Sequence, residues 1–221
     1  YIADYPILGT IAQINAFALG AQMTNPRAKV YLEWSTLKEQ DIEKRIDEID
    51  PNCISGKDII VPDDNNHFYG VYHRESGGGE QKNLAMPLCH WGKFYEELIR
   101  TIMAGNWEQD NDVEKAINYW WGMPTGVVDV ICSKKLPAGT VRLVNVLKHN
   151  YKTGQFHTFT DQMYAQGHIL KEKKGETLSP EEVIEMDWLA ENIIGRIPKI
   201  EELQEQAKPV LTQQGIETRK G

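Results

Sequence analysis

Apolar residues in the first part of the chain follow a pattern that predicts strands and helices in alternation. Two short apolar runs, 1–4 and 28–34, have the composition of buried strands. Between them, after Gly9, apolar residues recur at the spacing of one helix face, at Ile11, Ile14, Ala18 and Ala21. A second helix is predicted from about Lys38 to Ile49, with Ser35 as its candidate N-cap. This β-α-β-α order is typical of a parallel sheet covered by helices.

The pattern is less regular after residue 50. Two apolar runs, NCISGKDIIVP and HFYGVYH, are separated only by the turn residues DDNN. A parallel crossover needs about a dozen residues or more. Either the two runs pair antiparallel, or the first strand is limited to Cys53–Ser55 and a crossover helix has shrunk to a loop. We favour the second arrangement.

The remaining pattern predicts a further series of elements. They are a strand at 84–88, a helix from about Trp91 closed by Gly105, a strand at 126–132, a helix near 140–152 and a small hairpin formed by FHTFT and GHIL. A last helix is expected after Ser179, with Pro180 at its first position and Gly195 past its end. The tail after Pro198 is charged and polar, and its last residues are expected to fray.

Composition and charge narrow the possible functions. The chain has 221 residues, 41% of them hydrophobic and 25% charged, which is ordinary for a globular protein. Its net charge of −8 argues against a nucleic-acid partner, because such binding relies on clustered Lys and Arg. No apolar run approaches the roughly 20 residues that span a bilayer.

Motifs for enzyme chemistry or for a metal are not apparent in the sequence. Cys53, Cys89 and Cys132 are far apart, so they are either three free thiols or one disulfide and one free thiol. No two Cys or His have ligand spacing on a shared element, and no nucleotide-cradling or hydrolase motif is present. The acid, base and cation of HRE at 73–75 are chain neighbours that do not converge on one atom. The sequence therefore favours a binding protein without cofactor or metal over an enzyme.

Aromatic and hydrogen-bonding residues follow the predicted strands, where open α/β sheets bind ligands. The candidate ligand-binding residues are Tyr5, Trp34, Asp58, His73, Glu75 and Trp91. Rings alternating with polar groups suit a planar, polar small molecule. Two alternatives remain open: each aromatic ring could instead pack in the core, and Asp58 could cap a turn.

Four segments resemble a known family of transport proteins. The stretch YPILGTIAQINAFALGAQMTNPRAKVYLEW is similar to the F-P-I-x-x-x-x-x-x-I-N-A-F-x-L-G-A-x-x-x-N-P-x-A-K-V segment of the basic membrane protein (BMP) family. NLAMPLCHWGKFYEELIRTIMAGNW, YWWGMPTGVVDV and LSPEEVIEMDWLAENIIGRIP resemble its later motifs in the same order. These proteins are substrate-binding lipoproteins of ABC importers, related to the purine nucleoside receptor of spirochaetes.

The resemblance implies a type I periplasmic binding protein fold, in which two α/β lobes close on a ligand. We therefore expect an α/β three-layer sandwich with a mostly parallel sheet. Residues 1–119 would form the second lobe, 120–198 the hinge-return strands, hairpin and last helix, and 199–221 a polar tail. The missing partner would be the first lobe of the same protein. The apolar surface on which that lobe docks would then be exposed, and we expect it to favour self-association.

The resemblance also implies a function. We expect a non-enzymatic component that binds a nucleoside or nucleobase-like molecule and delivers it to an ABC permease, anchored outside the cytoplasm at the cell surface. Trp34 or Tyr5 would stack on the ligand, and Asp58 and Glu75 would accept hydrogen bonds. The family's Asp-rich ribose-binding motif is replaced here by the stretch 72–75, in which Glu75 would take over its role. The alternative is a cytoplasmic sensor of the same fold that controls transcription or signalling.

Overall fold

A computed structural model describes residues 1–56, 69–75, 81–105 and 122–216, without the side chains of 173–175. The strands are β1 (Ile2–Ala3), β2 (Val30–Tyr31), β3 (Glu33–Trp34), β4 (Cys53–Ser55), β5 (Val71–His73), β6 (Lys82–Cys89), β7 (Val128–Cys132), β8 (Thr160–Ala165), β9 (Ile169–Thr177) and β10 (Ile193–Ile194). The α-helices are α1 (Thr10–Thr24), α2 (Ile42–Ile49), α3 (Trp91–Met103), α4 (Ala138–Lys152), α5 (Pro180–Ile184) and α6 (Lys208–Gln214). The chain divides into two compact units, Tyr1–Leu84 with the chain from Thr158 onward, and Ala85–His157.

A short parallel sheet lies at the centre of the first unit. Its middle segment is 30–34, because β2 pairs parallel with β10 and β3 pairs parallel with β1. Val30, Leu32 and Trp34 point to one face by strand alternation, and all three are buried in the cluster that contains α1. On the opposite face Ile2 packs with Ile46 of α2. The predicted parallel sheet with helical cover is therefore present in this unit.

The first helix follows the sequence prediction closely. Gly9 adopts a left-handed conformation with φ of 82° directly before the helix, which a residue without a Cβ adopts at little cost. Asn25 ends it in an extended conformation. Ile11, Ile14 and Ala18 are fully buried against the sheet, as their spacing predicts.

The second helix begins later than predicted. Its N-cap is Asp41, whose carboxylate accepts a hydrogen bond from the Lys44 amide at 3.1 Å. The predicted cap, Ser35, is wrong because this residue still belongs to the sheet: its amide donates to the Ala3 carbonyl at 2.8 Å. Ser35 is therefore held at the end of β3, several residues before the helix starts.

The prediction of a mostly parallel sheet is wrong for the described residues. Strand β4 has the short extent that we favoured, but it pairs antiparallel with β5, as in the other arrangement considered. Strands β6 and β7 are antiparallel, and so are β8 and β9. Antiparallel neighbours need no crossover helix, which agrees with the few turn residues between the two apolar runs. The described fold is mixed α/β with small sheets.

The end of the chain differs most from the prediction. Ser179 caps the helix, as expected, and forms a capping box with Glu182, but the helix stops at Ile184 and residues 193–194 form β10. The 199–216 segment is not a loose polar tail, because it contains α6 and a buried cluster made of Leu203, Ala207 and Leu211. Residues 217–221 lie outside the described residues.

One buried side chain explains why the last helix ends early. Asn15 of α1 has no solvent exposure, and its Nδ2 donates to the Trp188 carbonyl at 2.7 Å. Its Oδ1 accepts from the Ala190 amide at 2.8 Å. These bonds use backbone groups of the 186–190 stretch that a longer helix would need for itself. The INAF and MDW motifs thus meet in space.

The second unit is built on the β6–β7 ladder with α3 and α4. Helix α3 begins at Trp91 and is followed by Gly105 at φ of 73°, as predicted. Lys148 of α4 binds the Asp129 carboxylate at 2.6 Å and the Val130 carbonyl at 3.0 Å, which ties this helix to β7. That bond also lowers the pKa of Asp129.

Candidate functional site

A polar cluster lies at the carboxyl ends of the parallel strands β1 and β3. The Asp4 carboxylate accepts a hydrogen bond from Ser35 Oγ, and the Asp4 carbonyl accepts one from Thr36 Oγ1. Asp4 and Thr36 are both buried. Because β1 and β3 are parallel neighbours, their following residues must meet at the same edge of the sheet. This edge is where open α/β sheets bind ligands. We refer to Asp4, Ser35 and Thr36 as the strand-end cluster.

Two of the predicted aromatic residues flank this cluster. Tyr5 is partly buried and packs against Leu203, Ala207 and Leu211. Trp34 is only 2% exposed, and its indole N–H donates to the Arg196 carbonyl at 2.8 Å. Both rings therefore pack against the protein itself, which was the alternative left open for each aromatic residue. Their contact with a ligand stays a prediction.

Two predicted residues lie at and just after the end of β5. His73 is half-buried and stands opposite Cys53 in the β4–β5 register. The exposed Glu75 carboxylate binds Lys82 at 2.7 Å, and this hydrogen bond lowers its pKa. Between them, Arg74 binds Asp47 of α2. The remaining candidate of this part of the chain, Asp58, lies outside the described residues.

Trp91 belongs to the other unit. It is the first residue of α3, it is 60% exposed, and its ring meets Phe94 edge-on at 5.8 Å between centroids. The structure thus brings the residues after β1 and β3 together, while His73 and Glu75 form separate contacts.

A groove of about 260 Å³ runs along the first unit beside the sheet. Its lining is Tyr31, Leu32, Glu33, Trp34, Leu37, Arg45, Ile194, Gly195, Arg196 and Pro198. The volume is slightly below the usual range for small-molecule sites, about 300–1,000 Å³. Aromatic and aliphatic walls with charged groups of both signs can hold and orient a small polar molecule.

The charged groups of the groove were missed by sequence reasoning. Glu33 binds Arg45 Nη2 at 3.2 Å and also accepts from Gln40. Hydrogen bonds to Glu48 and Glu33 raise the pKa of Arg45. Strand alternation could have placed Glu33 opposite Trp34, but its pairing with α2 depends on helix packing that the pattern does not specify.

Arg196 is another charged residue that lines the groove. Its Nη1 lies 2.6 Å from Glu202 Oε2, and together with the Lys199 amide it lowers the pKa of Glu202 to about 2. Gly195 precedes it with φ of 152°, and a Cβ there would lie 2.8 Å from the Leu32 Cβ. A glycine is therefore required where β10 ends beside the groove.

Three further features were considered for the part of the chain that the structure describes: a metal site, a disulfide and a membrane-spanning helix. There, no three His, Cys, Asp or Glu side chains gather closely enough to hold a metal ion. Cys53, Cys89 and Cys132 form no disulfide, and burial raises the pKa of Cys53. None of the helices within the described ranges has the length and apolarity needed to cross a bilayer.

Comparison with known proteins gives two relatives, while no family model matches the chain. The purine-binding protein of Brucella abortus (strain 2308) is 24% identical over 210 residues, which cover 90% of this chain. An ABC transporter glucose-binding protein of Haloferax volcanii is 30% identical over 139 residues, which cover 58% of this chain. The chain resembles solute-binding proteins.

These relatives agree with the family resemblance drawn from the motifs. Both are named for binding a small molecule rather than for a reaction. The chain spans 58% of the length of the purine-binding relative and 34% of the glucose-binding one.

Proposed function

We propose that the chain is the ligand-binding part of a BMP-type solute-binding protein of an ABC importer. Its ligand would be a nucleoside or nucleobase-like molecule, bound without chemical change. The observation that carries this proposal is the strand-end cluster at the edge of a parallel sheet, in a chain whose relatives bind small molecules. A second α/β lobe, an ABC permease and a location outside the cytoplasm belong to the same proposal.

The chemistry of the cluster suits a ligand with hydroxyl groups. Ser35 is half-buried, and its hydroxyl donates to the buried Asp4 carboxylate at this edge of the sheet. A carboxylate accepts hydrogen bonds from sugar hydroxyls or from ring N–H groups, and each such charge-assisted bond contributes about 1.5–3 kcal/mol. Asp58, His73, Glu75 and Trp91 would add contacts when two lobes close on the ligand, a motion that shifts the open–closed population.

The glucose-binding relative favours a second candidate, a sugar ligand. Ribose and glucose both present adjacent hydroxyl groups, so one carboxylate with neighbouring hydroxyls can bind either. A nucleoside additionally needs an aromatic or apolar wall for its base, and the exposed Tyr31 ring in the groove offers one.

Ligand-observed saturation-transfer NMR tests the two candidates, since it detects binding as weak as the millimolar range. Adenosine, guanosine, inosine, adenine and glucose are compared with glycerol as a non-ligand. We expect transfer to purine nucleosides, reduced about tenfold in affinity by Asp4→Asn through loss of one charge-assisted bond. The matched control is the exposed Asp161→Asn. Transfer to glucose alone would select the sugar candidate, and transfer to none of the five would refute the proposal.

A further inference from the structure

The 199–216 segment contacts both loops that carry the strand-end cluster. These loops are 4–8, which follows β1, and 35–38, which follows β3. The motif similarity to the BMP family ends at Pro198, so this segment lies beyond the resemblance.

Backbone hydrogen bonds attach the segment to loop 35–38. The Gln204 amide donates to the Thr36 carbonyl at 2.9 Å, and the Lys38 amide donates to the Glu202 carbonyl at 3.0 Å. The Gln204 side chain adds a bond from Nε2 to the Leu37 carbonyl at 3.2 Å. Three bonds within three consecutive residues fix the path of the loop that contains Thr36.

A second set of bonds attaches the other end of the segment to loop 4–8. The Leu8 amide donates to the Gln214 carbonyl at 3.0 Å, and the Ile216 amide donates to the Pro6 carbonyl at 3.3 Å. The same segment therefore holds both loops, although more than 25 residues separate them along the chain.

Apolar packing supports these bonds. Leu203 and Ala207 have no solvent exposure and Leu211 has 3%. Around them pack Tyr5 and Ile7 from the first loop and Leu37 from the second. Since burying one such side chain contributes free energy roughly in proportion to its area, this packing stabilises the attachment of the segment to the two loops.

We propose that the 199–216 segment positions the candidate binding site, by holding loops 4–8 and 35–38 at the separation that lets Ser35 and Thr36 bond to Asp4. The loops are then ordered on folding, and a ligand does not have to bear that entropic cost when it binds. This inference rests on the proposed function for its effect on ligand affinity, but the ordering of the loops can be measured without any ligand.

Two leucines of nearly equal burial, Leu211 and Leu189, allow a matched test. Leu211→Ala creates a cavity inside the segment, whereas Leu189→Ala creates one in the main core at 4% exposure. Hydrogen–deuterium exchange is followed at the Leu8 and Lys38 amides. We expect at least tenfold faster exchange there in Leu211→Ala, with unchanged exchange in α1. Equal acceleration in both variants, or none in Leu211→Ala, would overturn the inference.

A milder pair covers the case in which Leu211→Ala does not fold. Gln204→Ala removes the side-chain bond to the Leu37 carbonyl, together with the bond that Gln204 Oε1 accepts from Gln206 within the segment, and Gln213→Ala changes an exposed residue of the same segment. We expect faster exchange at Lys38 in Gln204→Ala alone. Equal exchange in the two Gln variants would count against the inference.

The same variants separate this inference from the proposed function. With adenosine as the probe, we expect Leu211→Ala to lower affinity at least tenfold and Leu189→Ala to leave it within about twofold. If wild-type protein binds no purine nucleoside but the exchange results hold, the proposed function fails and the positioning role stands. If adenosine binds equally to both variants, the positioning role fails.

Discussion

Helices α1 and α3 were predicted from the same kind of apolar spacing, yet they have opposite surroundings. In α1, Ile11 and Ile14 have no solvent exposure and the helix packs on the parallel sheet. In α3 no residue is buried, and Trp91, Tyr95 and Ile99 are each more than half exposed. The periodicity of apolar residues predicts that a helix forms, but it does not identify the surface that covers the helix.

The difference has a physical origin in the chain around each helix. α1 connects β1 to the 30–34 segment, whose β3 part pairs parallel with β1, so its apolar face meets a sheet whose strands are adjacent to it in sequence. Asn15, on the same face of α1, also forms hydrogen bonds with the backbone of Trp188 and Ala190, which are distant in sequence. α3 follows β6, whose partner β7 is antiparallel and therefore imposes no crossover on the helix.

The largest predicted effect comes from truncating one isoleucine in each helix. Ile14→Ala should lower the free energy of unfolding by about 3 kcal/mol, because it leaves a cavity in a closed core. Ile99→Ala, at 54% exposure, should change it by less than about 0.5 kcal/mol. Urea unfolding followed by circular dichroism measures both. Similar losses of unfolding free energy in the two variants would mean that α3 is covered in solution, and the proposed difference in burial between α1 and α3 would then be wrong.

Local signals account for the parts of the fold that were predicted correctly. Gly9 before α1, Gly105 after α3 and Ser179 with Pro180 at the start of α5 each act within a few residues, so the sequence indicates them directly. The early end of the last helix depends on Asn15, more than 170 residues away, and could not be predicted from periodicity. The packing of the 199–216 segment is likewise long-range.

In the candidate site, too, some contacts follow from the sequence pattern and others depend on long-range packing. The meeting of Asp4 with Ser35 follows from two adjacent parallel strands, a relation that the β-α-β pattern predicts. The pairing of Glu33 with Arg45 requires α2 to lie on a particular face of the sheet, which the pattern leaves open. Of the predicted residues, Tyr5 and Trp34 lie beside this strand end, and the residues brought together by helix packing were missed.

A smaller effect is expected from the polar part of the α1 interface. Asn15→Ala removes the bonds to the Trp188 carbonyl and the Ala190 amide and leaves both groups buried without this partner. We expect a loss of about 2 kcal/mol in the free energy of unfolding. The control, Gln13→Ala, changes an exposed residue of the same helix and should be neutral. Urea unfolding measures the free energy of unfolding of both variants. Equal values for the two would show that the Asn15 hydrogen bonds do not stabilise the fold.

The smallest effect concerns the exposed face of α3, where Tyr95, Ile99 and Met103 lie beside a surface depression. An exposed apolar face of this kind favours self-association, so the apparent mass in light scattering should rise with protein concentration. Ile99→Ser should weaken association about fivefold, which corresponds to about 1 kcal/mol of lost apolar contact. Val210→Ser, which changes an exposed apolar residue of α6, should have no effect. A strict monomer at high concentration would contradict the prediction and would show that exposure of α3 alone does not drive assembly.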